Sequence, residues 1–154
     1  LNYDRQRLLE QLKQDEESGV AKLTSYVCPA GHITIGYGHN LEAHPDLDYP
    51  AVPGTTCTLE QAEAWLESDV DESERLMVQR WPWMADLPSI VYENVLNMVF
   101  NMGVATFACF INTLRALQSG SWGQAAYELE HSKWYLQVGA RAKRIVATIE
   151  NARG

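Results

Sequence analysis

A chain of 154 residues suggests one domain, large enough for a real core. Its 46% hydrophobic and 21% charged content is that of a globular protein, and the net charge of -8 argues against nucleic acid, because phosphate binding needs Lys and Arg. The acidic residues are spread along the chain without forming a tail, which reads as a solvated surface.

Three cysteines, Cys28, Cys57 and Cys109, cannot all pair within one chain, so at least one thiol is expected to be free, as in a reducing compartment. No N-terminal segment resembles a signal peptide, and no apolar run is long enough to span a membrane. The sequence begins at Leu1, consistent with removal of an upstream piece.

Residues 4 to 16 read as a helix, with Asp4 able to cap it and Leu8, Leu9 and Leu12 forming one apolar stripe. Glu16 falls at its C-terminal end, where the macrodipole disfavours a carboxylate and raises its pKa unless a cation intervenes. Gly19 is a stop signal. Residues 23 to 40 read as a small hairpin: Thr24, Tyr26 and Val27 suit a strand, Pro29-Ala30-Gly31 a turn, and Ile33 to Tyr37 the return strand. Gly36 and Gly38 look like part of a phosphate-binding loop, but no helix pattern follows and no third glycine is in register, which argues against a dinucleotide site. Close backbone approach is the better reading of both glycines.

Residues 42 to 57 form a polar loop with Pro45, Pro50, Pro53 and Gly54. His32, His39 and His44 cluster along the sequence, but their spacings match no compact zinc pattern, so no metal is expected. Thr58-Leu59-Glu60-Gln61 is a capping-box signature opening a long helix toward residue 79, with Ala62, Trp65, Leu66, Val70 and Leu76 at helical spacing. Trp81-Pro82-Trp83 and Pro88 break the pattern. Ser89 is placed to cap the next helix, through Met102, whose apolar residues run most of the way round and predict a buried central helix. Ser121-Trp122-Gly123-Gln124 is a second capping box. No internal repeat or low-complexity linker is present.

The stretch from Asp15-Glu16 to Gly38-His39 concentrates one acid, one thiol and one hydroxyl on a short path of turn and strand. It resembles the catalytic region of the phage lysozymes, a glycoside hydrolase family of peptidoglycan muramidases. The family pattern is a Glu at the end of the first helix, an Asp or Cys in the first hairpin, and a Thr before Ile-Gly-x-Gly-His; the matching residues are Glu16, Cys28 and Thr34. Asn97-Met98-Val99-Phe100-Asn101-Met102-Gly103, Phe110 to Leu114, Ser132-Lys133-Trp134-Tyr135 and Gly139 to Arg144 carry the resemblance across nearly the whole chain.

The resemblance implies an α+β, mainly α, two-lobed fold. A minor lobe with a small antiparallel sheet would span about residues 17–57, a bridging helix about 58–79, and a helical lobe 1–16 plus 80–154. It implies hydrolysis of the β-1,4 bond between N-acetylmuramic acid and N-acetylglucosamine, with no cofactor. Glycosidic hydrolysis needs an acid for the leaving oxygen and a group on the other face of the sugar. Glu16 is the candidate acid, with Glu17 as rival one residue away. Base, nucleophile and water positioning are all open to Cys28, and Thr34 is suited to hold the attacking water. Neighbouring carboxylates are expected to raise the Cys28 pKa above about 8.5.

Arg141 matches the arginine that orients the catalytic Glu, and Arg144 the partner of Asp15. His39 and Asp69 match an ion pair. Asn40, Phe100, Asn101, Thr113, Glu128 and Gln137 match the sugar-binding positions, Asn40 and Glu128 departing from the residues of the best-known members. The implied partner is the peptidoglycan glycan strand, for which the acidic charge is unexpected. A monomer made in the host cytoplasm, released through a holin and acting in the periplasm or cell wall completes the expectation. A lytic transglycosylase on the same scaffold and a non-catalytic wall-binding module are the alternatives.

Overall fold

The computed structural model describes residues 3–152, which form an α+β, mainly helical, lysozyme-like fold. The chain groups into two compact units, Gln6–Asp71 and Leu1–Arg5 with Glu72–Gly154.

The first unit holds helix α1 (Arg5–Glu17), strands β1 (Lys22–Val27), β2 (Ile33–Gly36) and β3 (His39–Asn40), and the first part of α2 (Leu59–Arg80). The predicted stripe of α1 is its buried side, with Leu8, Leu9 and Leu12 at 8% exposure or less. The helix stops where two consecutive residues turn left-handed, Ser18 at φ 52° and Gly19 at φ 85°. Their amides close onto the carbonyls of Gln14 and Lys13 at 3.1 and 3.0 Å, satisfying C-terminal carbonyls that the helix leaves open. Glu16 and Glu17 are thereby fixed in the last turn.

The expected hairpin is a three-stranded antiparallel sheet in the order β1-β2-β3, and the return strand ends at Gly36 instead of Tyr37. The reason is backbone sign: Gly36 and Gly38 both have positive φ, at 70° and 80°, and reverse the chain into β3. Gly36 also permits contact with α2, because a Cβ there would lie 3.2 Å from the Cβ of Ala62. The loop after β3 returns to β1 through Ser25 N–H to Thr55 O (2.7 Å) and Cys57 N–H to Leu23 O (3.0 Å). Thr58 caps α2 as expected, its Oγ1 accepting from the Gln61 amide at 3.1 Å. Ala62, Leu66 and Val70 are its buried residues toward this unit's core.

The second unit continues α2 and adds a 3-10 turn at Pro82–Asp86, then α3 (Ser89–Met102), α4 (Val104–Phe107), α5 (Ile111–Ser119), α6 (Trp122–Glu130), α7 (Lys133–Val138) and α8 (Ala140–Glu150). Helix α3 is the central helix that its composition predicts: every residue from Val91 to Val99 is buried, and it lies against α4 and α8.

Two caps differ from expectation. Ser89 is already the first helical residue of α3, with Pro88 in the cap position and no side-chain bond. Ser121 makes no capping bond either. Its hydroxyl pairs with Ser119 Oγ at 3.0 Å, and Gln124 turns to Glu128 at 2.9 Å. Ser132 supplies the cap that was not anticipated, accepting from the Tyr135 amide at 3.3 Å to start α7.

Candidate active site

Strand register gathers the candidate residues of the first unit. Tyr26 pairs with Thr34 across β1–β2, and Thr34 with Asn40 across β2–β3. Directly opposed residues share a face, so Tyr26, Thr34 and Asn40 form one row across the sheet. Cys28 follows β1 at the start of the turn, where its amide donates to His32 O at 2.9 Å and its carbonyl accepts from Gly31 N–H at 2.8 Å.

The two carboxylates at the end of α1 have different surroundings. Tyr26 donates its hydroxyl to Glu17 Oε1 at 2.7 Å. Burial first, then the Glu17 carboxylate, push the Tyr26 hydroxyl well above the ordinary tyrosine range. Glu16 faces the Tyr37-Gly38 reversal instead: a Cβ on Gly38 would sit 3.1 Å from Glu16 Oε2. Only glycine combines φ 80° with that clearance.

Cys28 is half-buried and outside any disulfide. Its thiol is held below its ordinary value, chiefly by a hydrogen bond with Thr34 and next by the backbone of His32, with burial opposing. The expected upward shift from neighbouring carboxylates is therefore corrected. The turn places donors around the sulfur, and they outweigh its burial. Thr34 is buried, and its hydroxyl also donates to His32 O at 3.0 Å. A hydroxyl has one proton, so the Thr34 rotor serves either that carbonyl or a charged sulfur.

The other face of the sheet carries Ile35 and His39, a directly opposed pair. His39 is 4% exposed, and its Nδ1 lies 2.8 Å from Asp69 Oδ2 on α2. Its ring stacks on Trp65 at 4.6 Å and 6°. The anticipated His39–Asp69 contact is present. Of the three neighbouring histidines, His39 and His44 come together, whereas His32 turns to Glu42 at 3.4 Å. Asn40 uses its side-chain oxygen to hold the amides of Glu42 and Ala43 at 2.9 and 3.0 Å.

In the second unit, Thr113 and Glu128 line one depression of about 280 Å³, together with Phe110, Asn112, His131 and Ser132. Phe100, Asn101 and Gln137 lie outside that lining; Asn101 Oδ1 accepts from Trp134 Nε1 at 3.3 Å. Arg141 is buried and donates from Nε to Asn97 Oδ1 at 2.8 Å, while Arg144 is half-buried. Sequence reasoning missed Tyr26 as the holder of Glu17, Asn97 as a partner of Arg141, and His44 beside His39. Strand alternation carries a signal for Tyr26 alone, since it is the polar aromatic on the same face as Thr34.

Glu16 at the end of α1, Cys28 in its polar turn and the Thr34 hydroxyl beside that thiol all belong to the first unit. Residues 16–152 match the family described as phage lysozyme, and the chain belongs to that family. It is 26% identical to probable T4-type lysozyme 1 of Dictyostelium discoideum, over 92% of each chain. It is 26% identical to probable T4-type lysozyme 2 of the same organism, over 93% of each. An endolysin of Acyrthosiphon pisum secondary endosymbiont phage 1 is 30% identical, over 73% of this chain and 68% of that one. The protein is thus a lysozyme, a muramidase with peptidoglycan as substrate. Among the described residues, no helix is long and apolar enough to cross a membrane.

Proposed function

We propose that the protein hydrolyses the β-1,4 bond between N-acetylmuramic acid and N-acetylglucosamine, with Glu16 as general acid and the Cys28–Thr34 pair as the opposing group. The difference between the two helix-end carboxylates carries the assignment. Tyr26 engages Glu17, whereas Glu16 lies against the Gly38 turn with only a hydrogen atom between them on that side.

In the reaction, the Glu16 carboxyl gives its proton to the glycosidic oxygen as the bond from the anomeric carbon to that oxygen breaks. Water attacks the anomeric carbon from the other face, and the Cys28 sulfur, in its thiolate form, accepts the water's proton; donation from Thr34 and the turn favours that form. Proton count and charge balance: one carboxyl proton leaves Glu16, one water proton arrives at Cys28, and solvent exchange resets both. Thr113 and Glu128 are the proposed saccharide contacts of the depression they share. Asn40, Phe100, Asn101 and Gln137 extend that proposal, and Arg141 and Arg144 are its proposed orienting cations. The endolysin similarity supports lysis of a bacterial cell as the setting.

Digestion of purified peptidoglycan in oxygen-18 water tests the proposal. Mass spectrometry should show muramic acid reducing ends carrying one heavy oxygen. Anhydro ends without label would identify a transglycosylase instead, and no soluble product would identify a binding module.

A further inference from the structure

We propose that His39, His44 and Asp69 form a binding site for one divalent transition-metal ion of the zinc type, which fastens the loop after β3 to helix α2. The three side chains offer two imidazole nitrogens and a carboxylate oxygen, all within 4.8 Å of one another. Imidazole with carboxylate suits zinc, cobalt, nickel and copper better than calcium or magnesium. The spacings along the sequence gave no such signal, because Asp69 lies thirty positions beyond His39 and is brought there by α2.

The orientation of His44 carries the inference furthest. Its Nδ1 lies 3.0 Å from the carbonyl oxygen of Asn40. A carbonyl only accepts, so Nδ1 bears the proton, and in the neutral ring the lone pair is on Nε2. That Nε2 lies 3.9 Å from Asp69 Oδ1. In the charged ring Nε2 bears a proton toward Asp69, and a metal ion bound there takes that proton's place. An imidazole whose second nitrogen donates to a backbone carbonyl is also the usual outer arrangement of a metal-binding histidine.

Asp69 serves both rings with separate oxygens, Oδ2 being 2.8 Å from His39 Nδ1. His39 is held by its stack on Trp65 at 4.6 Å and 6°, whereas His44, stacked on His39 at 4.8 Å and 27°, must turn out of that stack for both rings to aim at one ion. Tetrahedral zinc with ligands at about 2.0–2.1 Å puts ligand atoms roughly 3.3 Å apart, so the 2.8 Å contact of His39 with Asp69 must open and the His44 nitrogen must move inward. His44 can make that movement, because its side chain is 37% exposed. Metal at His39 Nδ1 displaces that nitrogen's proton, to Nε2 if the ring is neutral and to solvent if it is charged. Water completes the coordination.

The test is titration of the purified chain with cobalt and zinc chlorides at neutral pH, in a background with Cys57 and Cys109 replaced by Ala. One cobalt per chain should saturate in the micromolar range, with visible ligand-field absorption and no sulfur-to-cobalt band in the near ultraviolet. Zinc should raise the melting temperature and slow proteolysis within residues 42–57. His44→Ala should weaken binding at least tenfold and abolish the melting shift, its fold checked by circular dichroism; Asp69→Asn should do the same. His32→Gln should change nothing, since His32 pairs with Glu42. Saturation only in the millimolar range, a sulfur-to-cobalt band, or equal binding by His44→Ala would each overturn the proposal.

Discussion

Tyr26 donates its hydroxyl to Glu17 Oε1 at 2.7 Å, so the two neighbouring carboxylates at the end of α1 are not equivalent. One is held by a phenol in the sheet, and the other faces a glycine turn. The same donor also explains why Tyr26 resists ionisation, since a phenolate would meet both burial and the Glu17 charge.

Glu16→Gln should therefore remove muramidase activity by about 10²–10⁴-fold, the usual contribution of a positioned proton donor, while the fold persists. Glu17→Gln should keep most activity and lower stability by about 1–2 kcal/mol, through loss of a charged acceptor for Tyr26. Turbidity clearing of a cell-wall suspension and thermal melts measure the two effects. The reverse pattern, activity lost only in Glu17→Gln, would move the acid by one residue.

This distinction marks where sequence reading stops. The stripe Leu8-Leu9-Leu12, the Thr58 cap and the buried α3 are local patterns, and the chain alone shows them. Glu16 and Glu17 are adjacent and chemically identical. What separates them is a hydrogen bond across nine positions and the sign of φ at Gly38, which depend on strand register and turn geometry. The Cys28 shift was misjudged for the same reason, because formal charges are visible in a sequence and the donors of a turn are not. Ser121 failed as a cap because a neighbouring hydroxyl, Ser119, competes for it.

The Cys28 thiol should ionise below its ordinary value of 9.0, and Cys57, raised by burial, above it. The sign for stability follows. A depressed folded pKa stabilises the fold above the unfolded value, and that contribution is lost as pH falls through the folded one. With Cys57 and Cys109 replaced by Ala, the rate of alkylation by iodoacetamide should turn upward below pH 9.0 and move higher in Thr34→Val, which removes the leading donor. Cys28→Ser should lose most activity and Cys28→Asp retain a substantial part, because a carboxylate restores a proton acceptor. Full activity in Cys28→Ser would leave the sulfur a packing atom.

His39 and Asp69 connect β3 to α2 through a buried ring and a 2.8 Å contact. A double-mutant cycle with His39→Asn and Asp69→Asn should give a coupling of about 1–3 kcal/mol in metal-free buffer, since each single change strands a polar partner. Urea unfolding measures it. Additive losses would mean that the Trp65 stack, not the polar contact, holds His39 in place.

Gly38 tests the geometry of the proposed acid without changing any ionisable group. Its φ of 80° is unfavourable for alanine, and the added methyl carbon would lie 3.1 Å from Glu16 Oε2. Gly54 is the matched control. Its φ is 92°, yet a Cβ there meets nothing within 4 Å. Both Gly→Ala variants should lose stability by about 1–2 kcal/mol, the cost of a left-handed backbone for an L-residue. Only Gly38→Ala should also displace the Glu16 carboxylate. A small misplacement of a reacting group carries a large rate penalty, so its kcat should fall by about 10–100-fold with KM little changed. Gly54→Ala should match wild type in kcat once folded protein is equalised. Equal kcat in the two variants would show that the space beside Gly38 does not position the acid, and the assignment of Glu16 would lose its geometric support.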